Sequence, residues 1–134
     1  MVRNPDALRP WQHVLEPLVG YLTLGSAVSQ NPKDFGSAFN FGPQLSDALS
    51  VKEMVEIAIR EWGSGAYEVV KETSAPHEAG LLKLDISRAT NELGWSPNLD
   101  AREAVGWTLN WYKKYFDKAD MGDYTRKQIE AFLN

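Results

Sequence analysis

The sequence contains no cysteine, which excludes disulfide bridges, thiolate zinc sites and cysteine nucleophiles together. Histidine is nearly as scarce, with only His13 and His77 in 134 residues, so a histidine-rich metal site is not expected. Basic charge is short as well: 14 Lys and Arg stand against 18 Asp and Glu, for a formal net charge of −4 at pH 7. No basic run exceeds the pair Lys113 and Lys114. The electrostatic footprint of a duplex binder is missing, and nucleic acid is not an expected partner. Long apolar runs are also lacking. The longest, Leu18 to Val28, falls well below the roughly 18 residues of a membrane span, so no membrane partner is expected. Met1 leads into Val2-Arg3-Asn4-Pro5 without the basic-then-apolar pattern of a signal peptide. Together with the missing cysteines, this sets a cytoplasmic expectation.

What is present suits one folded domain spanning residues 1–134. Hydrophobic residues make up 43% of the chain, and five Trp, five Tyr and five Phe supply large rings for a core. The opening Val2 to Pro10, with two prolines, reads as extended or looped chain. Pro17 suits the first position of a helix, because its missing N–H costs nothing there. That helix runs to the breakers Gln30-Asn31-Pro32. Ala38-Phe39-Asn40-Phe41 alternates before Gly42-Pro43 and predicts a short strand. Ser50 and Glu53 form a capping box for a second helix. Its apolar face is Val51, Met54, Val55, Ala58, Ile59 and Trp62, and it closes at Gly63. Tyr67 to Val70 and Leu81 to Leu84 predict strands. Ser87 to Leu93 predicts a short helix closed by Gly94. Asp100 with Glu103 starts a long helix, and Thr125 with Gln128 starts a last one. The fold class is α+β, dominated by helices, with no repeat or linker to divide it.

No nucleotide-binding glycine fingerprint, P-loop, zinc-protease or serine-hydrolase motif occurs. Three other motifs do stand in order. They are Arg9-Pro10-Trp11-Gln12-His13-Val14 with Glu16, then Phe39-Asn40-Phe41-Gly42, and then Leu84-Asp85-Ile86-Ser87-Arg88-Ala89 with Leu93-Gly94-Trp95-Ser96-Pro97. This set resembles the substrate-binding, C-terminal part of extended short-chain dehydrogenase/reductases that act on nucleotide sugars. The run Arg3 to Pro17, with Pro76-His77-Glu78 and Leu82-Lys83-Leu84-Asp85, looks most like the CDP-glucose 4,6-dehydratase branch. The resemblance covers nearly the whole chain.

The resemblance implies a helix-dominated domain that binds a nucleotide sugar, CDP-glucose in this branch. It implies a Rossmann half or subunit as partner, and NAD as cofactor of the complete enzyme rather than of this part. In the family, hydride passes from glucose C4 to NAD, water is lost across C5 and C6, and hydride returns at C6. The glycine-rich turn and the Tyr-x-x-x-Lys pair precede the matched segment, so turnover by these residues alone is not expected. Tyr67 and Lys71 have the same spacing but lie in a strand-like stretch and read as coincidence. A non-catalytic module that binds a nucleotide sugar or docks on a separate Rossmann subunit is the alternative.

By the same resemblance Arg9 sits where relatives bind the diphosphate, for which the planar guanidinium fork is suited. Relatives place a second diphosphate-binding arginine near His77 and Glu78. Here either His77 or Lys83 takes that role, or neither does. His13 contacts the nucleotide or, the blander reading, is a buried structural histidine. Asn40 faces the ligand cleft or caps the turn at Gly42-Pro43. Trp107 and Trp111 share a helix face and read as core rather than as a stacking platform. Glu53, Glu56 and Glu61 read as a solvated face.

Overall fold

The computed structural model describes residues 1–70 and 80–134. Among them the chain forms six helices and one two-stranded ladder. Strand β1 (Leu8–Arg9) is followed by α1 (Leu15–Gln30), α2 (Pro32–Phe35), β2 (Leu49–Ser50), α3 (Val51–Trp62), α4 (Ser87–Leu93), α5 (Ala101–Phe116) and α6 (Met121–Leu133). The helix-dominated expectation holds, and no Rossmann fold occurs among the described residues.

Local chemistry explains the helix boundaries. Ser50 accepts from the Glu53 amide at 3.2 Å while the Glu53 carboxylate accepts from the Ser50 amide at 2.8 Å, the reciprocal capping box expected for α3. Asp100 and Glu103 do the same for α5. Gly63 ends α3 with φ +95° and Gly94 ends α4 with φ +66°, both left-handed conformations that side chains disfavour. Two boundaries differ from the sequence reading. Helix α1 begins at Leu15, which puts Pro17 third rather than first, still inside the turn whose N–H groups have no helical partner. Helix α6 begins at Met121, because Asp120 accepts from the Asp123 amide at 3.1 Å and caps the helix five residues before Thr125.

The strands are shorter than the alternating patterns suggest. β1 and β2 pair antiparallel, Leu8 with Ser50 and Arg9 with Leu49. On the other side of β1, Leu8 bridges Leu81 in parallel, with the Leu8 amide donating to the Gly80 carbonyl at 2.8 Å. Val2 forms a similar single bridge to Val69. The chain 1–9 therefore threads between later segments, but Pro5 and Pro10 carry no N–H, and the ladders stop. Ala38 to Phe41 joins no ladder with any described residue. Its Phe39 and Phe41 pack into the core instead.

Two hydrophobic clusters result. One gathers Phe41, Ile86, Ala89 and Trp95 between α1 and α4, with Val19, Leu24 and Leu93 against it. Phe41 meets Trp95 edge-on at 5.0 Å between ring centroids, a favoured aromatic geometry. The other gathers Leu49, Ile57 and Ala101 between α3 and α5, with Trp11 and Val105. Ile57, outside the stripe expected for α3, is its buried residue, because α5 packs across that side. Trp62 at the end of the expected stripe stays 37% exposed.

Candidate functional site

The segment Arg9 to Glu16 joins the two clusters, largely through its polar side chains, although the buried Gln12 Oε1 has no partner among the described residues. The Trp11 indole donates to the Leu49 carbonyl at 3.0 Å, and the Gln12 amide donates to the Phe41 carbonyl at 3.1 Å. His13 is buried, accepts from the Leu15 amide through Nδ1 at 3.3 Å, and meets the Trp107 ring edge-on. That acceptor role requires an unprotonated Nδ1. Burial correspondingly pushes the His13 pKa below 6.5. Glu16 is 1% exposed and accepts from the backbone amides of Asn98 and Leu99 at 2.9 and 2.8 Å. Its burial raises the carboxyl pKa against the lowering pull of those two bonds. Asp47 acts similarly from the other cluster, accepting from the Ala101 amide at the start of α5 at 2.5 Å. Sequence reasoning assigned no role to Asp47 or to the burial of Glu16, since nothing local marks a carboxylate whose donors lie more than fifty positions away.

Arg9 stands at the edge of this scaffold, fixed by β1. One guanidinium nitrogen donates to the Leu8 carbonyl at 2.9 Å. Arg9 lines two adjoining depressions. The first, about 570 Å³, is bordered by Val2, Arg3, Asn4, Trp11, Val51 and Val55. The second is a narrow crevice shared with Pro43, Gln44, Leu45 and Lys83. The Lys83 ammonium donates to the Leu45 carbonyl at 3.4 Å. The fold thus brings two of the expected site residues, Arg9 and Lys83, to one crevice, and adds Arg3 beside Arg9 in the neighbouring depression. Arg9 and Pro10 border both hollows, the crevice itself having room for little more than a water at about 10 Å³, and guanidinium and ammonium groups are suited to phosphate oxygens. The sequence reading did not single out Arg3, which stands within the run that carries the resemblance.

The other expected residues lie apart from that crevice. His13 borders a different hollow, of about 400 Å³, with Val14, Trp111, Tyr112, Gln128 and Ile129. The Asn40 amide donates to the Asp85 carbonyl at 3.1 Å, so it ties two chain segments together rather than capping the Gly42-Pro43 turn. His77 lies outside the described residues, as does Lys71. The Tyr67 hydroxyl donates to Glu56 at 2.9 Å, and that bond pushes its pKa up. This is the opposite of what a tyrosine acting as a base requires. The side chain of Trp107 lies between the rings of His13 and Phe132. Trp111 donates to Thr125 at 2.9 Å and stacks on Tyr115 at 5.8 Å. Among the described residues there is no cluster of groups able to hold a metal ion, and no helix is long and apolar enough to cross a membrane.

No family model matches the chain. It is similar to the CDP-glucose 4,6-dehydratase of Salmonella typhimurium, with 36% identity over all 134 residues. The matched region spans 37% of that protein's length. The chain is thereby distantly related to the CDP-glucose 4,6-dehydratases.

Proposed function

We propose that this chain is the nucleotide-sugar-binding portion of a CDP-glucose 4,6-dehydratase-like protein, holding the nucleotide diphosphate while the redox chemistry takes place on a complementary Rossmann portion. The observation that carries the reading is the similarity to the Salmonella enzyme across every residue of the chain. The meeting of Arg9 with Lys83 at one crevice and with Arg3 at the next supports it. Guanidinium and ammonium groups bind phosphate by charge-assisted hydrogen bonds, and the place of Arg9 on β1, with its bond to the Leu8 carbonyl, restrains that guanidinium before ligand arrives. Such placement lowers the ordering cost of binding. It also orients the sugar toward a catalytic partner.

Nothing among the described residues fits NAD. There is no glycine-rich strand-to-helix turn and no parallel sheet to present one. No redox step is therefore assigned to these residues, whose part is to bind and orient.

Calorimetric titration with CDP-glucose tests the reading, with UDP-glucose as the competing nucleotide. Saturable heat is expected with CDP-glucose, weaker with UDP-glucose, and weakened about tenfold or more in Arg9→Ala, in line with losing a charge-assisted bond to phosphate. A folded chain that gives no saturable heat with either nucleotide sugar, alone or joined to a Rossmann portion, would overturn it.

A further inference from the structure

The crevice shared by Arg9 and Lys83 holds little more than a water, at about 10 Å³. A phosphate group would therefore meet these side chains at its rim, and the walls set where they stand. On one wall Arg9 pairs in register with Leu49. The other wall is the segment 43–48, which supplies Pro43, Gln44, Leu45 and Ala48 to the lining. Gln44, Leu45 and Ser46 are exposed, and their side chains make no hydrogen bond among the described residues.

Asp47 anchors the segment instead. Its amide donates to the Gln44 carbonyl at 2.9 Å and closes a turn, and its carboxylate accepts from the Ala101 amide at 2.5 Å. Ala101 opens α5, is 1% exposed and packs with Leu49 and Ile57, so the far end of this tie is set in the core. The turn held in this way carries the Leu45 carbonyl, which accepts from the Lys83 ammonium at 3.4 Å. That distance is longer than an ordinary N–H···O bond, and the acceptor is neutral.

We propose that Asp47 is a positioning residue for the nucleotide diphosphate: by tying the Gln44–Asp47 turn to α5 it sets the Leu45 carbonyl, and through that carbonyl the Lys83 ammonium, beside Arg9. The carbonyl keeps the ammonium at the crevice loosely, and a phosphate oxygen, which makes a shorter and charge-assisted bond, takes it over. The inference rests on the functional reading above and deepens it by naming what presents the second cation.

A double-substitution cycle in the whole chain tests it. CDP-glucose affinity is measured by calorimetry for Asp47→Ala alone and again with Lys83→Ala, with thermal unfolding followed for each variant. Asp47→Ala is expected to weaken binding about fivefold, part of what a lost charge-assisted bond costs, and less than about twofold once Lys83 is gone. Asp47→Asn keeps an oxygen for the Ala101 amide and is expected to bind within about twofold of the native chain. Equal weakening in both backgrounds overturns the proposal, because Asp47 would then act through general stability, and so does the absence of weakening. The Lys83 side chain without ligand separates this inference from the functional reading. With isotopically labelled methyl groups on the lysines, and Lys83 assigned by its loss in Lys83→Arg, its NMR signal should shift in Asp47→Ala and stay in place in Asp47→Asn. A shift in a native chain that does not bind CDP-glucose removes the functional reading and leaves Asp47 as the residue that places Lys83. An unmoved signal overturns the proposal even where the native chain binds.

Discussion

Glu16→Ala removes the one carboxylate that connects α1 to the segment leading into α5. In the native chain both carboxylate oxygens accept from the Asn98 amide, at 2.9 and 3.1 Å, and one also accepts from the Leu99 amide at 2.8 Å. The alanine variant leaves two backbone donors facing a site from which solvent is excluded. An orphaned buried donor costs about 1–3 kcal/mol, so the two together cost roughly 3 kcal/mol once partial relaxation is allowed. With a urea dependence of about 2 kcal/mol per molar for a chain of this size, the unfolding midpoint should fall by about 1.5 M. A fall below about 0.3 M would mean that water or a neighbouring carbonyl satisfies the donors, and the account of Glu16 as a connector would be wrong.

The ionisation of Glu16 gives a second, independent reading. Burial raises its pKa above the ordinary 4.5, outweighing the two amide bonds. The folded state therefore holds the proton more tightly than the unfolded state. The contribution of this group is fully present below pH 4.5 and is lost as pH rises through the higher folded value. Burial raises the Asp47 pKa as well, so the pH profile of the native chain mixes the two groups, and a difference from a variant isolates Glu16. Glu16→Gln keeps an acceptor and cannot ionise. It should cost less than Glu16→Ala at pH 7, and its deficit against the native chain should shrink as pH goes from 4 to 7. A deficit that widens over that range would show that the amide bonds outweigh burial and that the ionised form is the favoured one.

Two other changes have definite signs. Gly20→Ala places a Cβ 2.4 Å from the Phe41 ring, a ring wedged between Tyr21 and Trp95. Overpacking of about 1–3 kcal/mol should exceed the roughly 1 kcal/mol that alanine gains in a helix, so thermal unfolding should move down; an unchanged or higher midpoint would contradict the packing. For His13, burial lowers the pKa below 6.5. The folded state thus binds fewer protons, and stability from this group is lost as pH falls through 6.5 toward the folded value. A ring titration by NMR with a midpoint at or above 6.5 would refute the buried, neutral assignment.

The helices were the legible part of this fold because their signals are local. Ser50 with Glu53 and Asp100 with Glu103 place the starts of α3 and α5 from four residues of sequence each, and Gly63 and Gly94 place two ends. Where a competing cap lay nearby, as with Asp120 ahead of Thr125, the local signal was ambiguous and the structure settled it. The strands were less legible. Alternation in Ala38 to Phe41 reports that one side is buried, which is true of Phe39 and Phe41, but a ladder also needs a partner strand, and pattern says nothing of the partner. Ile57 was passed over on α3 for a related reason: which side of an amphipathic helix is covered depends on where α5 packs.

The motif Arg9-Pro10-Trp11-Gln12-His13 with Glu16 shows how far resemblance reaches into chemistry. As a string it is a single signature, and all of it invites a ligand-binding reading. In the fold it divides after Pro10. Trp11, the Gln12 amide nitrogen, His13 and Glu16 bond to Leu49, Phe41, Leu15, Asn98 and Leu99, which fixes the α1 cluster to the α3 and α5 cluster, while the buried Gln12 Oε1 has no partner among the described residues. Arg9 alone among the charged groups of the motif lies at the depressions shared with Arg3 and Lys83. A side chain that must meet a phosphate at a set distance needs a backbone that does not move, and here the four residues after Pro10 provide that rigidity. The consequence is a separable one: loss of Trp11 or Glu16 should weaken folding and ligand binding together, whereas loss of Arg9 should weaken binding by more than it lowers the unfolding midpoint.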